Sequence, residues 1–108
     1  MAANNYSITG TSEIFIGALG NEVVSSVVFQ VTAASSLSMV VKATLDDTAN
    51  ATANIQYINL LTGAVQSAGT AITANGIYGV FAPAMLVGVT PSAGSCTLDV
   101  SRIAGRVF

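Results

Sequence analysis

Apolar residues along this chain recur at every second position rather than every third or fourth, the period of strands that turn one face to a core. Val23, Val27, Phe29 and Val31 share one parity, against Val24, Ser26, Val28 and Gln30 on the other. The odd positions are therefore expected inside, while Val24 and Val28 suggest that the outer face is covered too. Leu37, Met39, Val41, Ala43 and Leu45 repeat the pattern against Ser36, Ser38, Lys42 and Thr44, with the polar link Thr32–Ser35 compatible with a hairpin between the two strands.

Asp46–Asn54 is small, polar and without an apolar period, and is expected to be an exposed loop. Ile55, Tyr57 and Asn59 against Gln56 and Ile58 form the next strand, closed by Thr62-Gly63. A short strand near Ala64–Ser67 and an edge segment over Gly69–Thr73 follow, and Asn75-Gly76 is a tight-turn signal. Three strands remain, Ile77–Phe81, Met85–Thr90 and Ser95–Ile103, separated by Pro83 and by Pro91–Gly94. The last of them places Cys96, Leu98 and Val100 inward. About seven to nine short strands, with turn signals every eight to twelve residues or so, predict an all-β fold: a single antiparallel β-sandwich or jelly-roll domain over residues 21–108. Residues 1–20 lack the regular alternation and read as an N-terminal arm or edge strand.

Composition changes the picture from fold to assembly. Only 7% of residues are charged, against about a quarter in an average soluble chain, and 52% are hydrophobic. From Thr48 through Leu98 there is no Asp, Glu, Lys, Arg or His. A surface that lacks charge over such a span is expected to be covered by other protein. Direct nucleic-acid binding is not expected, because Lys42, Arg102 and Arg106 are scattered and the net charge is -2. A membrane span needs about twenty apolar residues in a row; Ile77–Val89, the most apolar stretch, is interrupted by Gly79, Pro83 and Gly88. The opening residues lack the charged and apolar regions of a signal peptide, so synthesis and folding in a cytosol are expected.

Candidate chemistry is sparse. With no His, the single Cys96 has no base to activate it and reads as a buried filler. Among the acids Glu13, Glu22, Asp46, Asp47 and Asp99, only Asp46 and Asp47 are adjacent, and strand neighbours point to opposite faces rather than forming a dyad. Asp46, Asp47, Asn50 and Asn54 could be offered as oxygen ligands for calcium, but they fit a solvated turn better. Gly69, Gly76 and Gly79 precede no helix that could hold a phosphate. Tyr57, Tyr78 and Phe81 could stack a sugar or a base, although core or interface packing suits so aromatic-poor a chain better. Neither an enzyme nor a cofactor is expected.

The run Thr44-Leu45-Asp46-Asp47-Thr48, then Ile55-Gln56-Tyr57-Ile58, Leu61-Thr62-Gly63 and Ile72-Thr73-Ala74-Asn75-Gly76-Ile77-Tyr78-Gly79-Val80, closed by Pro91-Ser92-Ala93-Gly94-Ser95-Cys96-Thr97-Leu98, resembles small β-sandwich virion proteins of tailed bacteriophages. Asp47 and Tyr57 stand where that pattern commonly has Gly and Trp, and no Arg lies in Leu86–Val89. The resemblance implies a non-enzymatic structural protein: a capsid decoration or cement protein that binds between major capsid subunits on the virion surface, as a homo-oligomer and often a trimer. A tail, neck or fibre module that binds a host surface is the alternative. Tyr6, Ile8, Ile14, Phe15 and Ile16 at one end, and Arg106, Val107 and Phe108 at the other, lack a self-contained strand period and are the candidate contact residues for self-association or capsid binding.

Overall fold

A computed structural model describes residues 5–17, 22–45, 52–81 and 86–106. They form one antiparallel sheet of eight strands: β1 (Asn5–Ile8), β2 (Ile14–Gly17), β3 (Glu22–Thr44), β4 (Ala53–Asn54), β5 (Tyr57–Asn59), β6 (Ala64–Gln66), β7 (Gly76–Val80) and β8 (Leu86–Arg106). The all-β expectation and the strand count hold. The expected lengths do not, because β3 runs for 23 residues and β8 for 21.

These two strands pair with each other from Glu22↔Arg106 to Thr44↔Leu86. The polar link Thr32–Ser35 is not a hairpin, and Pro91–Gly94 does not separate two strands. Both are bends within continuous strands, where the register shifts repeatedly between Thr32 and Met39: Thr32 and Ser35 pair with Thr97 and Ser95, and the neighbouring Ala93 and Pro91 pair with Ser38 and Met39. Ala33 and Ser36 adopt positive φ there, 53° and 50°, and Gly94 a φ of 76°. Bulges of this kind let a strand turn a corner without giving up its partner.

The register shift also explains the side-chain pattern. In the half formed by Val27–Thr32 and Thr97–Arg102, odd residues of β3 pair with even residues of β8, as in Phe29↔Val100 and Val31↔Leu98. Beyond the bend odd pairs with odd, as in Val41↔Val89. A one-residue slip moves side chains to the opposite face, so β8 buries Cys96, Leu98 and Val100 on one side of the bend and Val87 and Val89 on the other.

Each half then recruits its own neighbours. β7 pairs with β3 over Val27–Val31 and β5 and β6 follow it outward, while β1 pairs with β8 at Cys96–Asp99. In the other half β2 pairs with β8 at Val87–Val89, and β4 pairs with Lys42 and Ala43 of β3. The expected edge segment over Gly69–Thr73 reduces to a single bridge, Met39↔Ile72, closed by backbone bonds of 3.1 and 2.7 Å.

One buried cluster draws on both halves, with Phe29, Val31, Leu98, Tyr78 and Val80 from the first and Leu37, Met39, Val41, Val87 and Ile72 from the second. This is the core of a sandwich-like domain. Tyr78 links two of its aromatic rings, with ring centroids 5.7 Å from Phe29 and 5.8 Å from Tyr57. The hydroxyls that such burial would strand are satisfied: Tyr57 donates to the Thr70 carbonyl at 2.9 Å and Tyr78 to the Ala74 carbonyl at 3.0 Å. The inward reading of β3 fails at its last turn of pattern, where Thr44 is buried and Leu45 is 76% exposed.

The N-terminal strands are part of this core. Ile8 and Ile16 are fully buried, and Arg102 of β8 ties their strands down. Its guanidinium donates to the Ile16 carbonyl and, at 2.6 Å, to the Tyr6 hydroxyl, while lying 5.9 Å from the centroid of the Tyr6 ring.

Two predictions follow from this geometry. A Cβ at Gly94 would lie 2.3 Å from the Ser36 carbonyl oxygen and 2.4 Å from that of Ser35, and an L-residue at positive φ costs about 1–2 kcal/mol even without a clash. Gly94→Ala should therefore lower the melting temperature by roughly 10 °C in a thermal scan, whereas Ser36→Gly, which relieves the same backbone region, should stay within about 1 kcal/mol of wild type. Removing residues 1–12 takes Ile8 out of the core and Tyr6 off Arg102. It should cost at least about 3 kcal/mol in urea unfolding, rather than leave stability unchanged as loss of a detached arm would.

Candidate interaction face

β5 and β6 are joined by a turn that satisfies itself. The Gly63 amide donates to the Asn59 carbonyl at 2.7 Å, the Leu61 amide to Asn59 Oδ1 at 3.0 Å, and the Ala64 amide to Thr62 Oγ1 at 3.3 Å. Gly63 supplies the positive φ of 76°. With its polar groups occupied locally, the turn presents Leu60 and Leu61 to solvent.

Strand period decides what lies beside them. Tyr57, Tyr78 and Val80 point into the core, so the intervening residues face out. Val65, Ile58, Gly79 and Val28 then form one row across β6, β5, β7 and β3. Gly79 is the low point of that row, and the Phe81 ring lies over it: a Cβ on Gly79 would meet ring carbons at 2.6 and 2.7 Å. Glycine in a strand interior commonly marks such a close approach. Phe81 is thereby held against the sheet while remaining 53% exposed, and Val65 is 60% exposed.

Beside Phe81 opens a groove of about 530 Å³ whose lining includes Ile55, Tyr57, Ile58, Val65, Gly79 and Phe81, together with Asn54 and Gln56. Among the described residues no Asp, Glu, Lys, Arg or His contributes to it. The described lining offers apolar contact, with Asn54 and Gln56 as its amide residues. Burial, with the neighbouring Tyr78 adding to it, pushes the Tyr57 hydroxyl above its ordinary value, and burial alone raises Tyr78. Cys96 is buried and its thiol is likewise pushed up by burial, which disfavours the thiolate that a nucleophile needs.

The residues expected to make contacts are placed as follows. Ile8 and Ile16 have no exposed surface and cannot touch a partner in this fold, because β1 and β2 spend them on the chain's own core. Ile14 packs partly buried against that core, Phe15 is half-buried, and Tyr6 is engaged with Arg102. Arg106 is the last residue of β8, paired with Glu22 through the backbone. Val107 and Phe108 lie outside the described residues, as do Asp46, Asp47 and Asn50 of the calcium alternative. Asp99 accepts a bond of 2.7 Å from Asn5, and Glu13 one of 3.3 Å from Thr90. Among the described residues no three Cys, Asp or Glu side chains gather as metal ligands, and no helix is long and apolar enough to cross a membrane.

The face around Phe81 escaped the sequence reading, which grouped Phe81 with Tyr57 and Tyr78. Those two are core residues and Phe81 is not. The usable signal was Gly79 two positions before Phe81, since in a strand that spacing puts an aromatic side chain and a bare Cα on the same face. Comparison with protein-family models, with curated proteins and with solved structures finds no match to this chain.

The two raised tyrosines give a pH prediction. A hydroxyl whose native pKa lies above its unfolded value of 10.0 contributes stability below that pH and loses it as pH rises through the native value. Urea midpoints should hold steady from neutral pH to about 9 and fall above about 10. Tyr57→Phe should be weaker by about 1 kcal/mol at neutral pH, having lost the bond to Thr70, yet decline less steeply in alkali; an equally steep decline would assign the loss to other groups.

Proposed function

We propose that this chain is a non-enzymatic structural protein that self-associates and docks on a larger protein shell, in the manner of the phage capsid decoration proteins it resembles. The observation that carries the reading is the uncharged outer face. Over Thr48–Leu98 the sequence has no formal charge, and in the fold that span includes Leu60, Leu61, Val65 and Phe81, all exposed large apolar residues. Lone exposed apolar side chains are ordinary, but a contiguous group without intervening charge marks an interaction surface.

The work such a protein does is burial. Each contact removes apolar area from water at roughly 25 cal/mol per Å², and repetition over many copies on a symmetric shell turns modest contacts into a large total. Clamping adjacent subunits of the major capsid protein against internal pressure is the role that this physics suits. The location is the virion surface, reached after synthesis in the host cytoplasm.

A second reading keeps the particle and moves the domain to a tail, neck or fibre. The groove beside Phe81 favours it, because a recess lined by an exposed aromatic residue and by Asn54 and Gln56 is also suited to a neutral host-surface ligand.

Light scattering on the purified protein, followed by sedimentation with undecorated capsids, tests the proposal. We expect a mass that is a multiple of 10.8 kDa and co-sedimentation with the shell. A protein that stays in the supernatant at every ratio of protein to capsid would remove the decoration role.

A further inference from the structure

Asn75-Gly76 is the one place in the chain where an asparagine is followed by glycine. Such a pair carries a reaction of its own. Glycine has no side chain to shield its backbone nitrogen, and that nitrogen can attack the neighbouring side-chain amide. A bond forms between the Gly76 nitrogen and Cγ of Asn75, the Cγ–Nδ2 bond breaks, and ammonia leaves with the proton that Gly76 gave up. One water then opens the five-membered imide at either carbonyl, giving aspartate, or isoaspartate with the side-chain carbons drawn into the main chain. Water is the only co-reactant, and nothing is oxidised or reduced.

The fold occupies both reacting groups. Oδ1 of Asn75 accepts a bond of 2.9 Å from the Ala34 amide, which fixes the side chain against the bend of β3, next to the positive φ of Ala33. The attacking nitrogen is turned to the same strand. Ile77 gives its carbonyl to the Leu60 amide at 2.8 Å and so faces β5. Main-chain groups of successive strand residues face opposite neighbours, so Gly76 faces β3, where it pairs with Val31. Tyr78 fastens the preceding residue, its hydroxyl donating to the Ala74 carbonyl at 3.0 Å. Asn75 itself is exposed, so water reaches it, and hydrogen bonding rather than burial holds the pair.

We propose that Asn75 is a site of spontaneous deamidation that the fold protects, reacting when the first residues of β7 come away from the bend of β3. The inference is independent of the assembly reading above. The product cannot rebuild the same corner. Isoaspartate lengthens the main chain between two points that the structure fixes, Ala74 on Tyr78 and Gly76 on Val31. Either product also places a formal charge in the span Thr48–Leu98, which has none. Opening of this corner is thereby recorded covalently, and a chain that has opened for long enough stays marked and weakened.

The test follows Asn75 by peptide mapping with mass spectrometry, isoaspartate and aspartate being separated by chromatography. Native protein is compared with protein unfolded in guanidinium chloride at the same pH and temperature. In the unfolded chain Asn75 is expected to convert faster than every other asparagine. In the native protein it should convert at least about tenfold more slowly than in the unfolded chain, the effect of two hydrogen bonds that must open first. Tyr78→Phe, which keeps the ring and frees the Ala74 carbonyl, should speed native conversion by about fivefold while far-ultraviolet circular dichroism retains the strand spectrum. Converted protein, once refolded, should melt below unconverted protein. Equal rates in native and unfolded wild type overturn the protection, and an unfolded chain in which Asn75 is no faster than the other asparagines overturns the site. A folded Tyr78→Phe that converts at the wild-type rate overturns the part given to Tyr78; should that variant fail to fold, the wild-type comparison decides. An unchanged melting temperature after conversion overturns the covalent record.

Discussion

The coincident bend of β3 and β8 is the constraint on which the rest of the structure depends. Two strands of this length would make a long, flat ribbon with two exposed faces if they stayed straight, and a two-stranded ribbon has no core of its own. Bending both at one level brings the two halves round a shared interior. The bend is possible because Gly94 lies against the carbonyls of Ser35 and Ser36, closer than any side chain allows. Ala33 and Ser36 absorb the accompanying left-handed geometry. Such strain persists only where surrounding structure over-determines it, and here eighteen paired positions along β3 and β8 hold it.

Once the halves are folded, the other strands take places that the bend creates. β1 and β2 pair with β8 on opposite sides of it, and Arg102 reaches both, donating to the Ile16 carbonyl of β2 and the Tyr6 hydroxyl of β1. This is why residues that look detached in the sequence are integral to the fold. β7, β5 and β6 extend the other edge, and their outward side chains make the apolar face. The same strand alternation that sends Tyr57 and Tyr78 into the core sends Ile58 and Gly79 out, and Gly79 in turn receives Phe81.

Charge distribution links this architecture to the proposed role. Glu13 and Asp99 are engaged with neighbours on β8 and β1, and Arg102 serves the N-terminal strands, whereas β4 to β7 have no charged residue at all. A surface without charge gives up electrostatic steering and solubility in exchange for low desolvation cost on contact. That trade suits a component that assembles once and stays assembled.

How much was legible in the chain follows from the range of each interaction. Strand period is local, so the all-β class, the strand number and the inward residues Val27, Phe29, Val31, Met39, Val41, Cys96 and Leu98 could all be read directly. Charge depletion is a property of composition and needed no structure either. The continuity of β3 and β8 could not be read, because Thr32–Ser35 and Pro91–Gly94 have the composition of turns, and only pairing along the partner strand keeps each strand going. The burial of Ile8 and Ile16 depends on a strand far away in sequence, as the pairings Ile8↔Cys96 and Phe15↔Gly88 show. Local pattern determined which residues avoid water; long-range register decided which of them the chain could bury by itself and which, around Phe81, it left on the surface.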